Sequence, residues 1–128
     1  MSEVVLDASA VLAVILEEPG AATIAGMVEG ALVSSVNMAE VVARLTDRGT
    51  SPEEIRAYVA GLGFLVVPFG PEDAWPTGLL RKRTRHEHLA LGDRACLALA
   101  ISRGGTAVTT DRAWGRLGLG KSVRVVPR

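Results

Sequence analysis

Asp7, Glu40, Asp93 and Asp111 each stand where a short apolar run meets a helix-like segment, in the contexts VVLDAS, SSVNMAEV, LGDRACLALA and AVTTDRAW. In a wound α/β chain such junctions can gather on the edge of the sheet where ligands bind. Four carboxylates brought together repel one another unless a cation joins them. Oxygen ligands are what Mg²⁺ and Mn²⁺ prefer, and Mg²⁺ keeps several waters in such a site. The first chemistry to test is therefore a hard divalent-metal site. Each acid also has a purely structural use. Asp favours helix caps, and Asn37-x-x-Glu40 has the form of a capping box with Asn37 as the cap.

Other chemistry-bearing residues offer less. Cys96 lies among Leu97, Leu99 and Ile101 and reads as core. His86 and His88 flank Glu87 in a basic loop, either for phosphate contact or simply in solvent. No glycine-rich phosphate loop is present in the sequence. The run Arg81-Lys82-Arg83-Thr84-Arg85 is the densest positive patch. It could hold a polyanion by its flank, or be a solvated helix end favoured by the dipole. Arg112 and Arg116 divide in the same way. Trp114, in a short apolar helix, reads as core, whereas Trp75 is open to base stacking.

The elements that must position these residues alternate. Strands are expected at residues 3–6, 31–34, 64–67, 107–109 and 123–126, and helices over 8–16, 21–28, 36–48, 52–61, 71–84, 93–103 and 112–117. Ser9 is the expected cap of the first helix. Ser51-Pro52-Glu53-Glu54 opens another with a capping box and proline in the first turn. Trp75-Pro76 is expected to disturb the helix it falls in. Alternation without tight hairpins implies a parallel sheet covered on both faces. The helix at 8–16 is apolar almost all round, so it is either sandwiched in the core or shared with a partner.

At 128 residues, 48% of them hydrophobic, the chain fits one domain over 1–128 with an ample core. The 14 basic and 14 acidic residues cancel, so composition carries no bulk nucleic-acid signal. The longest apolar stretch, Ala8 to Leu16, is shorter than the roughly 20 residues of a membrane helix. It is preceded by acids rather than bases, unlike a signal peptide. With a single cysteine, a reducing cytoplasmic setting is expected.

Four blocks in order resemble a known family: Val5-Leu6-Asp7-Ala8-Ser9, Asn37-Met38-Ala39-Glu40-Val41, Leu91-Gly92-Asp93-Arg94-Ala95 and Thr109-Thr110-Asp111-Arg112-Ala113-Trp114. Together they resemble the PIN-domain ribonucleases, in particular the VapC-type toxins of VapBC toxin–antitoxin pairs. One departure is Gly92, where that family often has alanine, at a position expected to sit outside the chemistry. The resemblance implies a three-layer α/β/α fold with about five parallel strands. It makes Asp7, Glu40, Asp93 and Asp111 an acidic pocket for Mg²⁺ or Mn²⁺. Asp7 and Asp93 would be direct ligands, Asp111 would bind a second ion or a water, and Glu40 would act partly through water. Ser9 and Thr109 or Thr110 could orient Asp7 and Asp111, and Asn37 is divided between cap and pocket. The resemblance further implies hydrolysis of RNA with water as nucleophile, a homodimer, and a small VapB-like antitoxin covering the cleft. Arg81, Lys82, Arg83, Arg85 and Arg112 are the candidate substrate contacts.

Two rival classes remain at this point. A phosphoacceptor receiver also places acids around Mg²⁺, but needs an acidic pair after the first strand and an Asp after the third. Here only Asp7 follows the first strand, and Phe64-Leu65-Val66-Val67 leads into Pro68. A non-catalytic PIN-like RNA-binding module is the other.

Overall fold

Five short runs rich in valine and leucine form one parallel sheet in the computed structural model, which describes residues 3–128. The strands are β1 (Val4–Leu6), β2 (Leu32–Ser34), β3 (Leu65–Val67), β4 (Thr106–Thr109) and β5 (Val123–Val125), in the order β3-β2-β1-β4-β5. In register, Val5 pairs with both Leu32 and Ala107, and Leu6 with Val108. Successive strand residues point to opposite faces. Leu6, Val33 and Val108 accordingly join one buried cluster, whereas Val5, Leu32 and Ala107 join another.

The helices cover both faces. Helices α1 (Ala8–Ile15), α2 (Ala21–Ala25), α3 (Ser35–Asp47) and α4 (Pro52–Leu62) contribute to the first cluster. Helices α5 (Pro71–Thr84) and α6 (Leu91–Ser102) contribute to the second, together with the 3₁₀ turn Arg112–Arg116, which buries Trp114. The fold is the expected three-layer α/β/α arrangement. Helix α1, apolar but for Ser9, buries Ala10, Val11, Leu12 and Ala13 and packs against α2, α3 and β4. Cys96 is fully buried, as the sequence suggested.

Several expected details are corrected. Ser9 does not cap α1 but lies in its first turn, and Asp7 caps it, accepting from the Ala10 N–H at 2.8 Å. Asn37 does not cap α3 either. Ser34, in extended conformation, does so through Val36 N–H, leaving Asn37 inside the first turn. Helix α2 stops at Ala25, before Gly26, rather than running to Val28; glycine disfavours helix interiors by about 1 kcal/mol. Helix α6 starts at Leu91, so Asp93 occupies its first turn rather than its start. Pro76 does not break α5, which runs unbroken past it. The missing N–H leaves the carbonyl four residues back, at exposed Glu72, free for water. The Ser51–Glu54 capping box forms as expected.

This topology explains where polar groups collect. The chain winds one way from β1 through β2 and β3, and the other way from β4 to β5. Between β1 and β4 the connections diverge, which opens a crevice beyond the carboxyl ends of the strands. Asp7 follows β1 and Asp111 follows β4, so the switch point holds both.

Candidate metal-dependent active site

Asp7 is the most deeply set of the acids, at 3% exposure. Its Oδ1 accepts from the Ser9 hydroxyl at 2.7 Å and the Ala10 N–H, and its Oδ2 accepts from the Thr109 hydroxyl at 2.6 Å. Burial outweighs these bonds and raises its pKa from 3.8 to about 6, with Asp93 adding to the rise. Thr109 Oγ1 also accepts the Asp111 N–H at 3.0 Å, and Ser9 Oγ accepts the Thr110 N–H at 3.1 Å. One hydroxyl network therefore ties the ends of β1 and β4 together.

The other acids come from neighbouring helices. Asp93 accepts the Ala90 N–H through Oδ2 at 3.0 Å, and burial followed by repulsion from Asp111 raises its pKa. Glu40 is half-buried on α3, its pKa raised by burial and by Asp93 against the pull of Asn37 and Arg44. Asp111 is exposed and caps the 3₁₀ turn through Ala113 N–H at 2.9 Å. Asn37 belongs to the support of this group: its Nδ2 donates to Glu40 Oε1 and to the Gly92 carbonyl, both at 2.9 Å, linking α3 to α6.

All four carboxylates line one pocket of about 380 Å³, with Arg44 and Arg128 on its wall. Asp7, Asp93 and Asp111 thus combine the two readings left open by the sequence, each accepting a backbone N–H at a helix start while lining the pocket. Glu40 lines the pocket without capping. The convergence is looser than a closed cage. Among the described residues no three Asp, Glu, His or Cys side chains form a ready-made metal cluster. A hard cation that keeps part of its water shell suits such a space. The donors are oxygens throughout. The ion pairs among the described residues, Arg103–Glu3 and Arg116–Glu87, involve none of the pocket acids, whose charge therefore lacks a paired cation. The residues fit a divalent ion.

Gly92, expected to sit away from the acids, lies directly against Glu40. A Cβ built there would overlap the Glu40 carboxylate, whose Oε2 would lie 2.7 Å away. The missing side chain lets Glu40 rest against α6. Because the obstructing atoms are the free end of a long side chain, Gly92→Ala should keep the fold, with stability within about 1 kcal/mol and favoured by helix propensity. Its cost should be the Asn37–Glu40 bond. Thermal unfolding and a structure of the variant check this; a collapse in melting temperature would mean that Glu40 cannot yield.

The basic run is placed elsewhere. Arg81, Lys82, Arg83 and Arg85 do not line the acidic pocket; Arg83 instead borders an apolar depression with Leu79 and Ile101. His86 hydrogen-bonds the Arg116 carbonyl, and Arg116 pairs with Glu87. Arg112 does adjoin the site, in a second cavity beside Asp111. Sequence reasoning passed over Arg44 and Arg128, which carry no local motif. The i, i+4 spacing of Glu40 and Arg44 on one helix face was the available signal for Arg44.

A wound parallel sheet with an acid-lined crevice at its switch point defines the class. The chain belongs to the PIN domain family, whose model matches residues 4–119. No curated protein gives a significant sequence match. Among solved structures, a toxin–antitoxin complex from Klebsiella pneumoniae superposes with TM-score 0.75 at 17% identity, covering 96% of this chain and 97% of the other. DNA-bound VapBC from Salmonella typhimurium gives 0.74 at 21% identity, covering 98% of each. PAE2754 from Pyrobaculum aerophilum gives 0.64 at 18%, covering 95% and 83%. At these identities the likeness is one of fold.

Proposed function

We propose that this single-domain chain is a divalent-metal-dependent endoribonuclease and the toxin partner of a small antitoxin chain. The observation that carries the reading is the convergence of Asp7, Glu40, Asp93 and Asp111 on one pocket, with no ion pair to any of them among the described residues. Asp7, Asp93 and Asp111 would hold Mg²⁺ or Mn²⁺, with Glu40 acting through water. Such an ion, when bound, supplies Lewis acidity that activates water and offsets charge building on the phosphoryl group. Ser9 and Thr109 hold the Asp7 carboxylate in one orientation. Asn37 holds Glu40. Leu12 and Leu16 add an apolar wall to the same pocket.

With water as the nucleophile, the ribose 2′-hydroxyl plays no part in attack. Fragments of total RNA should carry 5′-phosphate and 3′-hydroxyl ends, and should disappear with a chelator. Mass spectrometry of the ends checks this, and a 2′,3′-cyclic phosphate would refute the mechanism. The receiver alternative loses its scaffold, because the order β3-β2-β1-β4-β5 differs from the 2-1-3-4-5 order of those domains.

Membership of the PIN family and the toxin–antitoxin neighbours support the toxin role. Expression of the chain alone should then arrest growth of its host, and Asp93→Asn should relieve the arrest; equal arrest by both would remove the link to the site. A homodimer is part of the proposal. Trp75 and Leu79, one turn apart on α5, are 75% and 71% exposed and supply an apolar strip for it. Light scattering should give two chains for the parent and one for Trp75→Glu; a monomeric parent would contradict this. No helix among the described residues is long and apolar enough to cross a membrane, and cytoplasmic residence is proposed with it. Cell fractionation that placed the chain with the membranes would contradict that residence.

A further inference from the structure

Arg128 lines two adjoining cavities. One is the acidic pocket; the other, of about 560 Å³, shares Ser9, Asp111 and Arg128 with it and adds Thr110 and Arg112. The backbone delivers Arg128 there. Val126 N–H donates to the Thr109 carbonyl at 2.8 Å, prolonging the pairing of β4 with β5, and Val126 is buried. Gly20, at φ +94°, makes room, since a Cβ there would meet the Pro127 carbonyl at 3.2 Å and Val126 Cγ1 at 3.3 Å. Arg128 Nε then donates to Thr110 Oγ1 at 3.2 Å, which fixes one edge of the guanidinium.

The remaining guanidinium N–H groups have no carboxylate partner among the described residues, although Asp111 borders the same cavity. Arg112 has none either. Two unpaired guanidinium groups at one cavity offer planar forks of donors, the geometry that matches phosphate oxygens. An acid-lined pocket repels a polyanion, so a strand entering it needs cationic anchorage close by. The Arg81–Arg85 run, which does not line the pocket, does not supply it.

We propose that Arg128, together with Arg112, holds the backbone phosphate next to the cleaved one in a single-stranded RNA. This rests on the nuclease reading above. The second cavity fixes the side from which the strand enters, and Thr110 acts as the positioning residue for Arg128.

The test measures fluorescence anisotropy of a labelled single-stranded oligoribonucleotide in chelator, across a salt series, for the unmodified chain, Arg128→Gln, Arg112→Gln and Arg83→Gln. Loss of a charge-assisted contact should weaken binding about tenfold for Arg128→Gln. The slope of log K against log salt should also fall by about 0.7, the value of one phosphate contact on a single strand. Arg83→Gln should change neither. In Mn²⁺, Arg128→Gln should raise KM with kcat held within about twofold, as expected for lost uniform binding. If Arg128→Gln proves unstable, Arg128→Lys replaces it: it should keep the salt slope yet lose affinity, because it keeps the charge but not the fork. Unchanged affinity and slope in Arg128→Gln, with RNA still cleaved by the unmodified chain, would overturn this inference and leave the nuclease standing. Absence of both binding and cleavage in the unmodified chain would remove both.

Discussion

Asp7→Asn should lower kcat for RNA cleavage by about 10²- to 10³-fold, the scale seen when one electrostatic group at a reacting centre is lost. The same substitution should make the metal-free protein more stable above pH 6. The reason lies in burial. Asp7 is enclosed and has no paired cation among the described residues, and burial outweighs its three hydrogen bonds, so its folded pKa rises from 3.8 to about 6. Between those values the folded chain binds more protons than the unfolded one, so stability falls as pH rises. This contribution is complete below about pH 3.8 and is lost as pH passes through about 6. The interval corresponds to about 3 kcal/mol. Glu40 and Asp93, both raised, act in the same direction. Asparagine keeps the cap acceptor for Ala10 but carries no charge, so the variant should recover about 1–2 kcal/mol after a weakened bond to Thr109 is counted. Urea unfolding in chelator from pH 5 to pH 8 checks this. The parent should lose stability across the range, with a shallower dependence in Asp7→Asn. A parent that gains stability as pH rises would contradict the burial of an uncompensated charge.

Divalent ions should reverse that loss. A ligand bound only by the folded state adds RT ln(1 + [L]/Kd), about 2.7 kcal/mol when present at a hundred times Kd. Mn²⁺ or Mg²⁺ should therefore raise the melting temperature by several degrees at pH 7.5 and much less at pH 5, where protons compete for the same carboxylates. Ca²⁺ and monovalent salt serve as controls for general screening. Equal stabilisation by NaCl at matched ionic strength would mean that the acids are only a screened surface.

How much of this was legible in the sequence depends on how local each cause is. The layers followed from period: apolar triplets separated by capped helices already imply a covered parallel sheet, and the Ser51 box marked one helix start to the residue. Asp7, Asp93 and Asp111 were legible because each sits beyond a strand end or in the first turn of a helix, whereas Glu40, inside α3, was legible only through its spacing from Asn37. What they do for one another was not, because Thr109 reaching Asp7 or Asn37 reaching Gly92 depends on register between segments far apart in the chain. Cap assignment failed at Ser9 and Asn37 for a related reason. A neighbouring Asp or Ser competed successfully for the same N–H groups, and tertiary partners claimed the losers. The closeness of Gly92 to Glu40 was not legible, because the room left by an absent side chain shows only when Glu40 is seen lying over it. Arg128 belongs to no motif, and only its strand pairing places it.

The central claim is that four carboxylates at the switch point form a site for a divalent ion. Calorimetric titration of Mn²⁺ into chelator-stripped protein at pH 7.5 tests it most directly, with Asp7→Asn and Asp93→Asn alongside. Saturable binding by the parent, weakened at least about tenfold in both variants, with proton release that shrinks as pH rises past 7, is the result expected. No saturable binding, or binding untouched by either substitution, would contradict the account.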